Sequence, residues 1–313
     1  MIGLGFLYAV AGLTFLVFAV LSALDDGHPK RFGNAAFYAL IALSFLAGDR
    51  LGNLGNGVLV LVLVAIAGFG LIGRGTPATT SPEERRAEAA RRRDRLFLPA
   101  LIIPAVALIG TFAFKLYPAL VDPKQTTLVA LTFGVILALA VCYAWLKPKP
   151  ETPYQEGRRL MDGVGWALVL PQMLASLGAV FALAGVGDQV GLLVGQAIPH
   201  GSVIGAVIAY GLGMALFTMV MGNAFAAFPV MAAAIGVPLL IRGYGGDPAV
   251  IAAVGMLAGF CGTLMTPMAA NFNLVPAALL ELKDRNAVIK AQVWTAIPLL
   301  VFNIALLYWF GFR

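Results

Sequence analysis

The chain has 313 residues, of which 60% are hydrophobic and 12% charged, and its mean hydropathy is +0.91. A soluble domain carries roughly 45–50% apolar and about 25% charged residues, so a water-soluble globule is excluded and a polytopic membrane protein is indicated. The net charge of +6 is assigned to basic loops on the cytoplasmic face, because no nucleic-acid motif accompanies it.

The apolar runs are continuous, as in "VLVLVLVAIAGFGLIG" from Val58 to Gly73. Such runs approach the ~20 residues that a helix needs to cross ~30 Å of hydrocarbon. A membrane barrel would instead need alternating strands of ~10 residues. The fold class is therefore all-α, with about ten transmembrane helices expected at roughly 2–24, 32–48, 54–73, 96–117, 127–146, 160–186, 202–221, 223–241, 249–282 and 290–311. The first run lacks a basic leader, so it reads as a retained helix rather than a cleaved signal. Residues 187–200 read as an irregular stretch. The ninth segment is too long for one straight crossing and must be interrupted or re-entrant.

Between the third and fourth crossings lies "EERRAEAARRRDR". Ser81 is a helix N-cap there, Pro82 occupies the first turn, and acids sit at the positive helix end. Residues 74–95 are placed in the cytoplasm. Counting crossings then puts two further basic loops, 147–159 and 283–290, on the same side. The loops around Asp122 and Asp188 fall outside. Residues 147–159 hold Pro148, Pro150 and Pro153 and read as a cytoplasmic linker between an N-terminal helical half, 1–146, and a C-terminal half, 160–313, with broken helices. Five crossings on each side of a linker permit an inverted repeat, a scheme common in secondary transporters.

The chemistry is expected at the breaks. In "GNAFAAFPV" (Gly222 to Val230), Gly222 can end one helix and Asn223 can cap the next. In "GTLMTPMAANFNLVP" (Gly262 to Pro276), Gly262 can end a helix. Thr266 before Pro267 forms a cap and first-turn pair, and Asn271 and Asn273 precede Pro276 in the same manner. Broken backbone survives in a membrane only when it is buried in protein or lines a wet cavity. Half-helix N-termini suit an anion, and freed carbonyls suit a cation. Asn223, Thr263, Thr266, Asn271 and Asn273 are therefore the expected substrate-binding residues. The alternative for each is a hydrogen bond that fastens one helix to another.

Gln172, Asp162 and His200 are the expected positions for a coupling ion or proton. Gln172 adjoins Pro171 in the sixth crossing. Asp162 lies one turn into that crossing, with Arg158 and Arg159 as alternative structural partners. His200 titrates near neutrality when unperturbed, although crossing parity puts it near the outer surface. Na⁺ or H⁺ are the coupling ions considered, since hard cations prefer oxygen ligands. No cofactor or metal centre is expected. Cys142 and Cys261 lie in apolar segments and read as packing residues. Catalytic motifs such as HExxH and GxSxG are absent, so no enzyme is indicated.

The blocks "MGNAFAAFPVMAAAIGVPLLI" (Met221 to Ile241), "GMLAGFCGTLMTPMAANFNLVPAALLEL" (Gly255 to Leu282) and "VIKAQVWTAIPLL" (Val288 to Leu300) carry a likeness to a known family. They resemble an uncharacterised bacterial family of inner-membrane proteins, labelled only as a domain of unknown function. That family is in turn similar to the ion-transporter superfamily of organic-anion permeases. Its genes often stand beside a second small membrane protein and a pyroglutamyl peptidase. The resemblance implies a permease, or one subunit of a homo- or hetero-oligomeric permease, for a small carboxylate such as pyroglutamate (5-oxoproline). It supplies no binding residues. The competing expectation is a non-transporting membrane scaffold, or an accessory subunit, in which the broken segments pack dry.

Overall fold

The computed structural model describes residues 2–75, 80–117, 119–197, 201–280 and 282–312. Among these residues the structure is helical, apart from one isolated parallel bridge between Ile2 and Val121. This is the outcome expected where each apolar segment must satisfy its own backbone. Among the described residues seven helices are long and apolar enough to cross a membrane: Leu4–Ala23, Arg31–Gly68, Glu83–Leu116, Thr126–Leu146, Val203–Met221, Ala224–Gly243 and Ala287–Gly311. The chain is a multi-pass membrane protein. It divides into two compact units, Met1–Gly165 and Trp166–Arg313.

The first unit contains α1 (Leu4–Ala23), α2 (Arg31–Gly68), α3 (Pro82–Arg92), α4 (Phe97–Leu116), α5 (Thr126–Leu146) and α6 (Thr152–Val164). The longest element, α2, is not straight. Gly52 sits inside it at φ 63°, ψ −174°, a backbone region open essentially to glycine. A straight helix of 38 residues would separate its ends by about 57 Å. Instead the ends meet: Lys30 Nζ donates to the Gly70 carbonyl at 2.6 Å, and Asn34 Nδ2 donates to the Gly73 carbonyl at 2.8 Å. The chain therefore reverses at Gly52. Asn56 Nδ2 secures the reversal through the Gly48 and Gly52 carbonyls, at 2.8 and 2.9 Å. The two limbs overlap the second and third crossings expected from the sequence. Helix α1 packs along the first limb, where Phe18 meets Tyr38 edge-on.

The cap expected at Ser81 is present as a full capping box. Its hydroxyl accepts from the Glu84 amide, and Glu84 Oε2 accepts from the Ser81 amide. Helices α4 and α5 form a hairpin in which Phe114 lies against Phe133. Large side chains on α4, such as Leu108, Ile109 and Phe112, are exposed, as befits a lipid-facing surface.

The second unit contains α7 (Leu170–Leu183), α8 (Val186–Ala197), α9 (Val203–Met221), α10 (Ala224–Met231), α11 (Pro248–Thr263), α12 (Leu274–Leu279) and α13 (Ala287–Gly311). Helix α10 runs on without a break into wide π-helical turns over Ala232–Gly243, with Pro229 and Pro238 inside the combined segment. Each proline removes a backbone donor, and wider turns accommodate the loss. The core gathers around Tyr210, Met214, Met231, Ile235, Leu240 and Ile251.

Three sequence expectations change. The segment expected as the sixth crossing, 160–186, is divided near Gly165 between α6 and α7, and neither half is among the seven spanning helices. The sequence of α6, TPYQEGRRLMDGV, is too short and too polar for hydrocarbon. Within the expected linker, helix already begins at Thr152, with Pro in its first turn. The stretch expected to be irregular, 187–200, is helical as far as Ala197.

Candidate functional site at two facing helix breaks

The first break lies between α9 and α10. Gly222 ends α9 in the left-handed region at φ 73°, and its amide donates back to the Thr218 carbonyl at 2.7 Å. Asn223 then turns extended and caps α10. Its Oδ1 accepts from the Phe225 amide at 2.8 Å, as its position in the sequence implies.

The second break runs from the end of α11 to the start of α12. The Thr263 hydroxyl donates to the Phe260 carbonyl at 2.6 Å. The Thr266 hydroxyl crosses to the other break, donating to the Met219 carbonyl at 2.8 Å and accepting from the Met268 amide at 3.2 Å. Asn273 Nδ2 donates to both the Thr263 and Thr266 carbonyls, at 2.8 and 2.7 Å. The breaks are in direct contact, since a Cβ placed on Gly222 would overlap the Met268 carbonyl oxygen.

The sequence expectation that Thr266 caps a helix beginning at Pro267 is corrected. Residues 267–273 form turns, and helix resumes only at Leu274. Pro267 deprives that segment of a donor, while the Thr266 hydroxyl finds a better acceptor at the frayed end of α9. Asn273 does occupy the position before α12, but its side chain makes no cap bond and instead satisfies two freed carbonyls of its own break.

The resulting junction brings together the negative ends of α9 and α11 and the positive end of α10. Thr218, Thr263, Thr266 and Asn273 are buried there. Two oxygens, Asn273 Oδ1 and Thr218 Oγ1, are buried without a hydrogen-bond partner among the described residues. Unpaired oxygens in such a place are costly, and they are the chemistry a cation or an N–H-bearing ligand would meet. Thr218 escaped the sequence reading. Its signal was register, because it lies four residues before Gly222 and so shares a helix face with the break.

Residues 5–312 match the model of a family described as a protein of unknown function (DUF979). The chain belongs to the DUF979 family. No curated protein and no solved structure matches it. For this DUF979 chain, residue roles therefore rest on geometry.

The remaining expected positions are dispersed. Asn271 is exposed on the turn before α12, and Gln172 is exposed in the first turn of α7. His200 lies outside the described residues. Asp162 is buried in α6 within the first unit. The arginines weighed as its partners go elsewhere, Arg158 to Asp25 at 2.8 Å and Arg159 to Glu156 at 2.8 Å. Asp162 is held by Asn34 and Tyr38 of α2, neither of which the sequence reading singled out. A separation of more than 120 positions carries no local pattern. Among the described residues no group of three or more His, Cys, Asp or Glu side chains is placed to hold a metal ion.

Proposed function

We propose that this DUF979 protein is a secondary permease, or a subunit of one, for a small organic anion. Its substrate binds at the junction of the two helix breaks. The observation that carries the reading is the meeting of these interruptions at buried polar side chains, two of whose oxygens lack partners. Interrupted helices are where transporters hold substrates and coupling ions. The amides opening α10 face the anion's carboxylate, while Asn273, Thr218 and the freed carbonyls supply oxygen to a coupling Na⁺ or accept the substrate's N–H. Pyroglutamate, a carboxylate with a ring amide, suits both kinds of contact and is the substrate to test first. The proposal includes a bacterial inner-membrane location, an inverted repeat and a second small membrane subunit, and the basic character of the loops at 74–95, 147–159 and 283–290 supports placing them in the cytoplasm.

Uptake of labelled pyroglutamate into proteoliposomes, with and without a Na⁺ or pH gradient, tests the reading. Thr266→Ala and Asn273→Ala are expected to lower uptake at least tenfold at equal incorporation. Wild-type uptake no greater than that of empty liposomes, for pyroglutamate and other small carboxylates alike, overturns it.

A second reading is favoured by one observation. Thr266 and Asn273 satisfy backbone groups of the breaks directly, as in a dry, structural junction. On that reading the chain is a membrane scaffold, and the same variants lower stability with no transport to lose.

A further inference from the structure

The first unit contains a closed polar cluster around Asp162, a position expected from the sequence to serve a coupling ion or proton, and it takes no part in the junction of the helix breaks. It joins the 24–30 loop, the first limb of α2, the segment after α2, and α6. Side-chain hydrogen bonds connect these segments. The two protons of Asn34 Nδ2 go to the Gly73 carbonyl at 2.8 Å and to Asp162 Oδ1 at 2.7 Å. Asn34 Oδ1 accepts from the Gly73 amide at 2.9 Å. The Tyr38 hydroxyl donates to Asp162 Oδ1 at 2.6 Å. His28 Nδ1 accepts from the Lys30 amide at 2.9 Å, and His28 Nε2 lies 3.2 Å from both the Gly73 carbonyl and Asn34 Nδ2.

Among the described residues Oδ2 of Asp162 is buried and accepts no hydrogen bond. The nearest charged or titratable nitrogen across from it, His28 Nε2, is 3.8 Å away, and both side chains are almost wholly buried. The other charged groups around the cluster are engaged elsewhere. Arg158 on α6 donates to the Leu21 carbonyl at 2.9 Å and pairs with Asp25. Lys30 reaches the Gly70 and Ile72 carbonyls. Arg74 reaches the Gly163 carbonyl at 3.4 Å. Among the described residues Oδ2 accepts no hydrogen bond, and its ion pair with His28 carries charge only when the imidazole is protonated; a buried charge without compensation is costly.

We propose that Asp162 Oδ2 is a proton-binding position, and that the protein takes up one proton there as the pH falls. Protonation removes the buried charge and leaves both bonds to Oδ1 in place. Burial pushes the Asp162 carboxyl above the usual carboxylate range, against the opposing pull of Tyr38, Asn34, His28 and Arg158. With the folded-state value raised, stability from this group is fully present at low pH. It is lost as the pH rises through the folded-state value.

The test uses the purified full chain in lipid nanodiscs between about pH 5 and about pH 8. The wild-type folding equilibrium is expected to strengthen on acidification by up to about tenfold per pH unit, and Asp162→Asn is expected to remove that component. Infrared difference spectra, acid minus neutral, should contain the carbonyl stretch of a protonated carboxylic acid that Asp162→Asn deletes. Tyr38→Phe, which removes one donor to the carboxylate but preserves shape, should shift the appearance of that band to higher pH, with about tenfold tighter proton binding. Identical pH profiles in wild type and Asp162→Asn overturn the proposal, as does a band unmoved by Tyr38→Phe. It is also overturned if exchanging K⁺ for Na⁺ at constant ionic strength, rather than changing pH, shifts wild-type stability but not that of Asp162→Asn, since Oδ2 would then hold an alkali cation. Should Asp162→Asn fail to fold, the Tyr38→Phe titration decides alone.

Discussion

Asn273 illustrates how one side chain can hold a broken membrane segment together. Its amide nitrogen serves two carbonyls that the interruption has stripped of helical partners, and the side chain is fully buried. Asn273→Leu preserves size but removes both donors. Each carbonyl left unpaired costs about 1–3 kcal/mol, so this variant is expected to unfold markedly more easily than wild type in a denaturant titration in mild detergent. Thr266→Val, which frees the Met219 carbonyl and the Met268 amide, is expected to lose a similar amount. If Asn273→Leu is as stable as wild type, Asn273 does not make those bonds in the folded protein.

At the scale of an element, the reversal of α2 is set by two glycines that act differently. Gly52 supplies a left-handed turn and has open space around its α-carbon, whereas Gly33 packs so closely that a Cβ would overlap the Leu71 carbonyl oxygen. Gly57 is an exposed helical glycine that also has open space. These differences order three alanine variants. Gly57→Ala should be neutral or stabilising by about 0.5–1 kcal/mol. Gly52→Ala should lose about 1–2 kcal/mol through its positive φ. Gly33→Ala should lose the most, because backbone must move to admit the methyl group. Thermal unfolding of the three proteins side by side checks the order, and a Gly33→Ala as stable as Gly57→Ala would contradict the closed hairpin.

At the scale of the first unit as a whole, the antiparallel α4–α5 hairpin fixes which segments share a membrane face. Residues 83–92 and 147–151 lie at one end of it, where Arg92 stands 5.0 Å from the Trp145 ring. Asp122 lies at the other, with its amide bonded to the Ile2 carbonyl at 3.0 Å. In a Cys142→Ala, Cys261→Ala background, a membrane-impermeant thiol reagent should label Glu83→Cys and Lys149→Cys from one side of sealed vesicles and Asp122→Cys from the other. The proposed cytoplasmic placement of the basic loop requires the labelled side for Glu83→Cys to be the cytoplasmic one. Labelling of Glu83→Cys and Asp122→Cys from the same side would mean that α4 does not cross.

The sequence by itself determined the membrane class, the helical fold and the positions of both helix breaks. These follow from local properties: apolar run length, capping residues, and the missing donor of Pro267. The cap at Asn223 and the left-handed stop at Gly222 were legible for the same reason. Only the tertiary structure decided that the two breaks touch, that Thr266 reaches Met219 instead of capping its own segment, and that Asp162 belongs to Asn34, Tyr38 and His28 rather than to its neighbouring arginines. Those pairings join residues 47 and more than 120 positions apart. A hydrogen bond formed across such a distance depends on how whole helices pack, and no local periodicity, propensity or spacing encodes that.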